Sequence, residues 1–489
     1  MSLLEASLKD DLWNRPFRFI SRVGRKLDYK RSIYRATQQY DPYVYDALKY
    51  FDKEHETNWL QRSIGKTRVA GSDVKIMSRI EAYDKPAYEI PQKYQGCVEV
   101  ALRQLERKLR LNEKVNPRWI YDVDVVPNTT TGYPLFRKKK DVRDQIFRDA
   151  RFRFHLMKRK QLSEMGVPYT VPATRGASRP ADEEKTRLVW VYPAEMLICE
   201  GVFAQPLIDH IYQDVQLSDM LMTGRDSLPK HQTLVSYLND EENVIGVGGD
   251  FDSFDTCRCR TLILRIFDML KRKLNHGTYE GKNGDIQTGG EGVKRRSEKA
   301  FDAIVEYFIH TPMILPNGRI IRKHIGVPSG SHFTNLIDSL VNWVMMTAFL
   351  LFERIRARML KVNGDDSAAI VNAEHKKTIL EKMKIFFLDC FAMVLNVEKS
   401  VVADKPSEMH MSGTTWRNFV PTRNTENWFE LVLNPKSYVK NPQEGFQRML
   451  GVGICGGFTD PHYCSVFNYY QRGWNCKSEV QKLDWTKYR

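Results

Sequence analysis

No stretch of this chain is both long and apolar. The longest apolar run, Leu340 to Phe352, is interrupted by Asn342. It is also shorter than the roughly 20 residues of a bilayer-spanning helix. The N-terminus, MSLLEASLKDDLWNRPF, carries charges where a secretory signal needs an apolar core. We therefore expect no membrane insertion. Cysteine is scarce, eight in 489 residues, and never falls in metal-ligand spacing. Cys257 and Cys259 are one residue apart, with no second pair at zinc-finger spacing, so free thiols are expected. Internal repeats and low-complexity tracts are absent as well.

Acidic residues are the minority charge. Lys and Arg total 75 against 60 for Asp and Glu, a formal net charge of +15. Such an excess in a globular chain points to a polyanionic partner, with simple solubility as the plain alternative. Apolar residues make up 42%, enough for a folded core rather than a disordered chain. The length suits two or three lobes around a shared centre.

The first 110 residues read as mostly helical. Residues 137–160 are dense in Lys and Arg, and periodicity does not decide between a solvated helix and a nucleic-acid-facing one. Loops with Gly and Pro are expected from about 165 to 182. A strand is expected from Asn243 to Phe251. Leu262, Ile263, Ile266, Phe267 and Leu270 then fall at helical spacing. An exposed loop is expected from Asn275 to Gly292. A helix should follow SGSHFTN and run to about Ala357. Two strands flank the NGDDS turn. The next helix has one apolar face of Ile379, Met383, Phe386, Phe387, Cys390 and Phe391. This alternation argues for an α/β or α+β core.

The stretch VNGDDSAAIV sets Asp365 beside Asp366. Taken alone it is equally a polar hairpin turn. A turn does not need two acids, whereas Mg²⁺ takes hard oxygen ligands, often one or two carboxylates plus waters and phosphates. A two-metal phosphoryl-transfer site needs a further carboxylate from elsewhere, its metals roughly 3.5–4 Å apart. The segment GVGGDFDSFDT offers Asp250, Asp252 and Asp255. In a strand Asp250 and Asp252 would share a face. Asp255 falls where the strand gives way to helix, and an N-cap acid is its plain reading. Between these acids lies GVPSGSHFTNLIDSLVNW. Its Gly326, Pro328 and Gly330 shape a loop offering the hydroxyls of Ser329 and Ser331. Thr334, Asp338 and Asn342 recur every four residues and line one helical face. Such a stripe either caps a neighbouring element or reads a sugar.

The order of these motifs resembles viral RNA-dependent RNA polymerases. Asp250-FDSF-Asp255, the Gly326–Asn342 segment and Gly364-Asp365-Asp366-Ser look like that family's motifs A, B and C. TTTGYP resembles the loop beside its template entrance, through Thr131, Gly132, Tyr133 and Pro134. KTRLVWVYP resembles the basic strand for the incoming triphosphate, and LNVEKS the motif with a catalytic lysine. HMSGTTWRNFV, residues 410–420, would then be the primer-grip region. GVPSGSxFTxxIDSxxN, GDDS, and LNxxKS followed by GTTWRN are similar to the partitivirus kind, double-stranded RNA viruses, and most of all to compact plant cryptic viruses. Picobirnaviruses are close neighbours.

The resemblance implies an α+β right-hand polymerase, with an antiparallel palm sheet flanked by helices and largely helical fingers and thumb. Residues 1–110 would be a helical extension bridging fingers and thumb. Residues 111–245 and 275–320 would form the fingers, 246–274 and 321–415 the palm, and 416–489 the thumb. It implies Asp250 and Asp365 as principal ligands of two Mg²⁺ ions, with Mn²⁺ as a substitute and Asp366 in support. Lys399 would be the general acid. Lys185 and Arg187 would bind triphosphate, with Arg175 and Arg179 as additional phosphate contacts. Asp255, Thr334 and Asp338 would check the ribose, and Ser329 would sit in a loop that moves on translocation. The implied partners are RNA template and product, ribonucleoside triphosphates and a viral capsid protein, within the virion interior or host cytoplasm.

Two rivals use the same raw materials. A reverse transcriptase also places acids in a palm, but its double acid normally follows an aromatic-containing motif, not Asn363-Gly364. A non-catalytic RNA-binding or capsid-associated protein needs the charge but no convergent acids. A phosphate loop at Gly65–Thr67 fails because Leu60 stands at its first glycine position. GVGICG, Gly451–Gly456, lacks the strand–loop–helix context of a dinucleotide site and is expected to be a thumb loop.

Overall fold

A computed structural model describes residues 18–22, 40–64, 66–68, 73–110, 114–160, 166–176, 178–180, 186–213, 220–221, 233–236, 238–239, 242–409, 415–417, 420–435 and 439–476. The chain divides into two compact units. The first comprises Met1–Tyr29, Ile76–Ala173 and Leu188–Asp404, the second Lys30–Lys75, Thr174–Arg187 and Lys405–Arg489.

The first unit is organised on a four-stranded antiparallel sheet, in the order Ala357–Asn363, Asp366–Asn372, Val244–Gly249, Val401–Ala403. Every residue of the Val244–Gly249 strand is buried. Its three glycines lie along the same run, and helix Ile379–Phe391 packs close: a Cβ on Gly249 would lie 3.2 Å from the Met383 methyl. The apolar face expected on that helix is buried at all six positions. Helix Thr334–Phe352 is almost wholly buried as well. Among the described residues it is the one helix long and apolar enough to cross a membrane, longer than the run that began at Leu340. With 14 of its 19 residues buried, its apolarity is accounted for by the core it fills.

The second unit has its own core. Helices Pro42–His55, Trp59–Ser63, Thr425–Leu433, Pro442–Cys455 and Pro461–Gly473 surround Trp428, Phe429, Phe446, Tyr463 and Tyr470. Asp41 ties the early and late segments together. Its Oδ1 accepts from the Tyr43 and Val44 amides and so caps the first helix. Its Oδ2 accepts from Arg448 Nη1 at 2.8 Å, a fully buried acid held by a partnered guanidinium.

Several local expectations need correction. The helix after SGSHFTN ends at Phe352 rather than Ala357, which already opens the next strand. Arg354 intervenes at a φ of 56°, a left-handed residue that ends the helix. The expected loop from Asn275 to Gly292 contains a short hairpin, Thr278–Glu280 paired with Ile286–Thr288. The stretch from 165 to 182 contains strands at Val171–Gly176 and Ser178–Pro180. GVGICG belongs mostly to a helix, Pro442–Cys455. Its glycines serve packing there: a Cβ at Gly453 would meet the Phe458 ring at 2.3 Å, and one at Gly456 the Trp428 ring at 2.0 Å. Seven described cysteines are free, as expected.

Candidate active site

The acids sit at one end of the sheet because of register. Asn363 pairs with Asp366, leaving Gly364 and Asp365 as a two-residue turn. Gly364 takes a φ of 60°, while Asp365 stays outside the left-handed region. Glycine in the first central position is the type II′ arrangement, whose twist suits a hairpin. On the other side of the Asp366–Asn372 strand, Ser367 pairs with Gly249. Asp366 and Asp250, one residue further on each strand, therefore reach the same end. Asp365 is exposed, and Asp250 and Asp366 are partly buried.

Past Gly249 the chain leaves the sheet. Phe251 bridges Leu395, and the LNVEKS segment lies along it. The Asp250 amide donates to Ser400 Oγ at 3.1 Å, and the Asn396 amide donates to the Asp250 carbonyl at 2.8 Å. Asn396 Nδ2 donates to Asp252 Oδ1 at 3.3 Å. Asp252 is thus occupied with this segment and does not share a strand face with Asp250, because the strand ends at Gly249. Lys399 is exposed, and its amide donates to Asn396 Oδ1.

The GVPSG loop is built against Asp255. The amides of Gly326 and Val327 donate to the carbonyls of Cys257 and Asp255 at 2.9 and 2.7 Å. Gly326 has a φ of 73°, and a Cβ there would lie 2.4 Å from the Asp255 carbonyl oxygen. Gly330 meets the Trp190 backbone so closely that a Cβ would overlap its carbonyl oxygen at 1.7 Å. Ser329 Oγ donates to the Leu188 carbonyl and accepts from the Trp190 amide. Thr334 Oγ1 points its proton back at the carbonyls of Pro328 and Ser331, 2.7 and 2.8 Å away. Glu200 Oε2 accepts from Ser331 Oγ and from the His332 amide. Burial raises Glu200 to a pKa of about 8. Lys323, fully buried, donates to the carbonyls of Phe308, Ile309 and Gly326.

The electrostatics bring three separated acids together. Burial raises the proton affinity of Asp255, and the Asp365 charge adds to it, against the opposing hydrogen bond from Tyr83 and the charge of Arg79. Burial holds Asp338 well above the usual carboxylate range, reinforced by Asp255 and Asp365. Asp338 Oδ1 is sealed from solvent without a hydrogen-bond partner. Tyr83 Oη donates to Asp255 Oδ2 at 2.7 Å.

Of the polar stripe Thr334–Asp338–Asn342, the last member does not read a ligand. Asn342 Nδ2 donates to the carbonyls of Gly364, Asp365 and Asp366 at 3.0, 3.0 and 3.2 Å. Ser339 Oγ accepts from the Gly364 amide at 2.8 Å and donates to the Asn335 carbonyl at 2.7 Å. Ser339, Tyr83, Ser400 and Glu200 were not singled out from sequence. Ser339 and Ser400 each follow a residue that was, in IDS and EKS; Tyr83 and Glu200 carry no local signal.

Among the described residues no three His, Cys, Asp or Glu side chains close into a metal cage. The donors at the sheet end, Asp250, Asp365 and Asp366, are all carboxylates, and just behind them Asp338 Oδ1 is buried without a partner. That set fits Mg²⁺, which needs few protein ligands beside water and phosphate.

Thr131, Gly132, Tyr133 and Pro134 form a tight loop. The Arg137 amide donates to Thr131 Oγ1, and the Ala194 amide to the Thr131 carbonyl. A Cβ on Gly132, whose φ is 71°, would lie 2.7 Å from the Tyr192 carbonyl oxygen. Arg187 is exposed at the start of strand Thr186–Val191 and belongs to the second unit. Lys185 and the side chains of Arg175 and Arg179 lie outside the described residues, as does most of 410–420 apart from strand Thr415–Arg417 and Val420.

An antiparallel sheet presenting acids at a II′ turn and a strand end, backed by a buried helix, places the chain with the right-hand polymerases. Two crystal structures share the fold. The RNA-dependent RNA polymerase of a human picobirnavirus aligns at a TM-score of 0.62 and 16% identity, over 92% of this chain and 84% of that one. Its insertion-loop deletion mutant aligns at 0.60 and 17%, over 89% and 86%.

The sequence model of the viral RNA-dependent RNA polymerases matches residues 30–467. The chain belongs to that family. Curated relatives are named RNA-directed RNA polymerase. That of Cryptosporidium parvum virus 1 is 25% identical over 306 residues, 56% of this chain and 53% of its own length. That of White clover cryptic virus 1 is 24% identical over 188 residues, 36% and 30%. That of Atkinsonella hypoxylon virus is 29% identical over 138 residues, 26% and 20%. The chain thus spans about half the length of the first of these and less of the others. The match to a cryptic virus agrees with the resemblance read from the motifs.

Proposed function

We propose that this chain catalyses template-directed nucleotidyl transfer from ribonucleoside triphosphates to the 3′ end of RNA, serving transcription and replication of a double-stranded RNA virus genome. One observation carries the reading. Asp255, Asp338 and Asp365 come from three separate segments, yet Asp365 lies close enough to Asp255 and Asp338 to add to the proton affinity of both. A hairpin turn has no use for that arrangement.

Asp250 and Asp365, with Asp366 in support, would hold two Mg²⁺ ions (or Mn²⁺), whose chemistry when bound is to activate the 3′-hydroxyl and neutralise the departing pyrophosphate. The remaining work falls to the chain's own groups. Lys399, exposed beside the segment that holds Asp250, donates a proton to the leaving pyrophosphate. Lys185 and Arg187 bind triphosphate oxygens, Arg through its planar fork, with Arg175 and Arg179 adding contacts. Asp255, Thr334 and Asp338 check the ribose. With its proton committed to loop carbonyls, Thr334 offers lone pairs, so it accepts from a 2′-hydroxyl. Ser329 ties this loop to the backbone of Leu188 and Trp190.

The palm, 246–274 and 321–415, then contains the sheet almost entire, and residues 111–245 and 275–320 make the fingers. The shared core of Pro42–Ser63 with Thr425–Gly473 supports counting that part of the 1–110 extension with the thumb, 416–489. The test is elongation on homopolymer RNA with and without Mg²⁺. The parent should elongate only with the metal, and Asp365→Asn should lose about 10³-fold or more of the rate, the scale of removing a main transition-state charge stabiliser. Near-parent elongation by Asp365→Asn would overturn the assignment.

A further inference from the structure

A two-residue turn exposes backbone groups that its own strands cannot satisfy. Here the buried helix Thr334–Phe352 satisfies them, from two positions three residues apart and so on one face. Ser339, 1% exposed, takes the Gly364 amide. Asn342, fully buried, gives its amide group to three successive carbonyls, Gly364, Asp365 and Asp366. Every one of these bonds is to backbone. The clamp therefore fixes the path of the turn without using either carboxylate.

The clamp is also one-directional. Asn342 Oδ1 is buried and has no hydrogen-bond partner. Turning the amide over would satisfy nothing, because it would set oxygen against three carbonyl oxygens. A side chain kept only for packing would not leave a buried acceptor unpaired, since an apolar residue of the same shape avoids that loss. Ser339 is fixed in the same manner: its proton is given to the Asn335 carbonyl, so its lone pair is left for Gly364.

We infer that Ser339 and Asn342 are positioning residues that set the metal affinity of the Asp365–Asp366 turn by holding its backbone. The inference rests on the proposed polymerase reading for its purpose, but the experiment separates the two. Groups that orient metal ligands from behind typically change metal affinity by about 10- to 100-fold when removed. Mn²⁺ binding to the full chain is titrated by electron paramagnetic resonance, with thermal unfolding measured on each variant. Asn342→Leu and Ser339→Ala should bind Mn²⁺ about tenfold or more weakly. Ser339→Thr, which keeps the hydroxyl, should bind as the parent does. A folded Asn342→Leu with the parent isotherm overturns the inference. Should Asn342→Leu not fold, the serine pair decides, and equal binding by Ser339→Ala and the parent overturns it. A parent that binds Mn²⁺ but never elongates RNA defeats the polymerase reading alone, and the difference between variants still judges the clamp.

Discussion

Two rows of polar groups meet at the end of the sheet, and they are held by opposite means. The front row is ionic: Asp250, Asp365 and Asp366 at strand ends, with Asp255 and Asp338 close behind. Like charges repel, and the Asp365 charge makes Asp255 and Asp338 harder to ionise. The back row is hydrogen-bonded: Tyr83, Ser339, Asn342, Ser400 and Glu200, whose pKa burial raises to about 8. Each touches a front-row residue or the loop beside it. Repulsion cannot hold a geometry, so the back row supplies the order and the front row the charge. Losses of Asp250, Asp365 or Asp366 should therefore fall on the chemical step, and losses behind them on selectivity, metal affinity or stability.

The largest effect should come from the front row. Asp250→Asn, like Asp365→Asn, is expected to reduce elongation by about 10³-fold or more while leaving the fold intact. Single-turnover extension and thermal unfolding check this together. Lys399→Leu should follow, slowing the chemical step by about 10²-fold or more, within the usual range for a general acid. Its template affinity should equal the parent's. Equal losses in rate and in template binding would make Lys399 an ordinary surface cation.

The front row was legible in sequence and the back row was not, for a physical reason. Acids beside glycine in NGDDS and GGDFDSFD stand out because charge at a strand end needs an explanation. The hairpin, its flanking strands and the apolar face of Ile379–Phe391 were readable from alternation and spacing. Ser339 and Asn342 were visible as letters, and Asn342 was even placed on the right face, but its partner lay 22–24 residues away on another element. Tyr83 reaches Asp255 across a separation of 172 residues. No local pattern encodes such a contact. The GVGICG segment failed in the opposite direction, since glycines that serve helix packing against Phe458 and Trp428 look in sequence like a loop.

Tyr83→Phe sharpens the comparison from behind. It removes the hydroxyl that donates to Asp255, a hydrogen bond that favours the ionised carboxylate against burial. The parent should prefer ribonucleotides strongly, since a site built to bond a hydroxyl rejects the analogue lacking it. Loss of one hydrogen bond of about 1.4 kcal/mol corresponds to about tenfold in that preference. Competing incorporation of ribo- and deoxynucleotides measures it. Undiminished discrimination in Tyr83→Phe would show that Asp255 is positioned by the loop alone, and comparable use of both nucleotides by the parent would favour the reverse-transcriptase reading.

The smallest effect is on stability and depends on pH. Glu200 lies in the helix Ala194–Gln213, with Oε2 accepting from Ser331 and His332 and Oε1 sealed without a partner. Its pKa is raised from 4.5 to about 8 by burial. Above pH 4.5 the unfolded chain has lost this proton, while the folded chain keeps it until about pH 8. The folded state therefore binds the extra proton across that window, and the stability contributed by this group falls as pH rises through it. Glu200→Gln keeps an acceptor for Ser331 and His332 and has no proton to lose. Its melting temperature relative to the parent should climb from about pH 5 to about pH 8 and then level off. A gap that stays constant over that range would mean that Glu200 is ionised in the folded chain, and that the back row contains a charge after all.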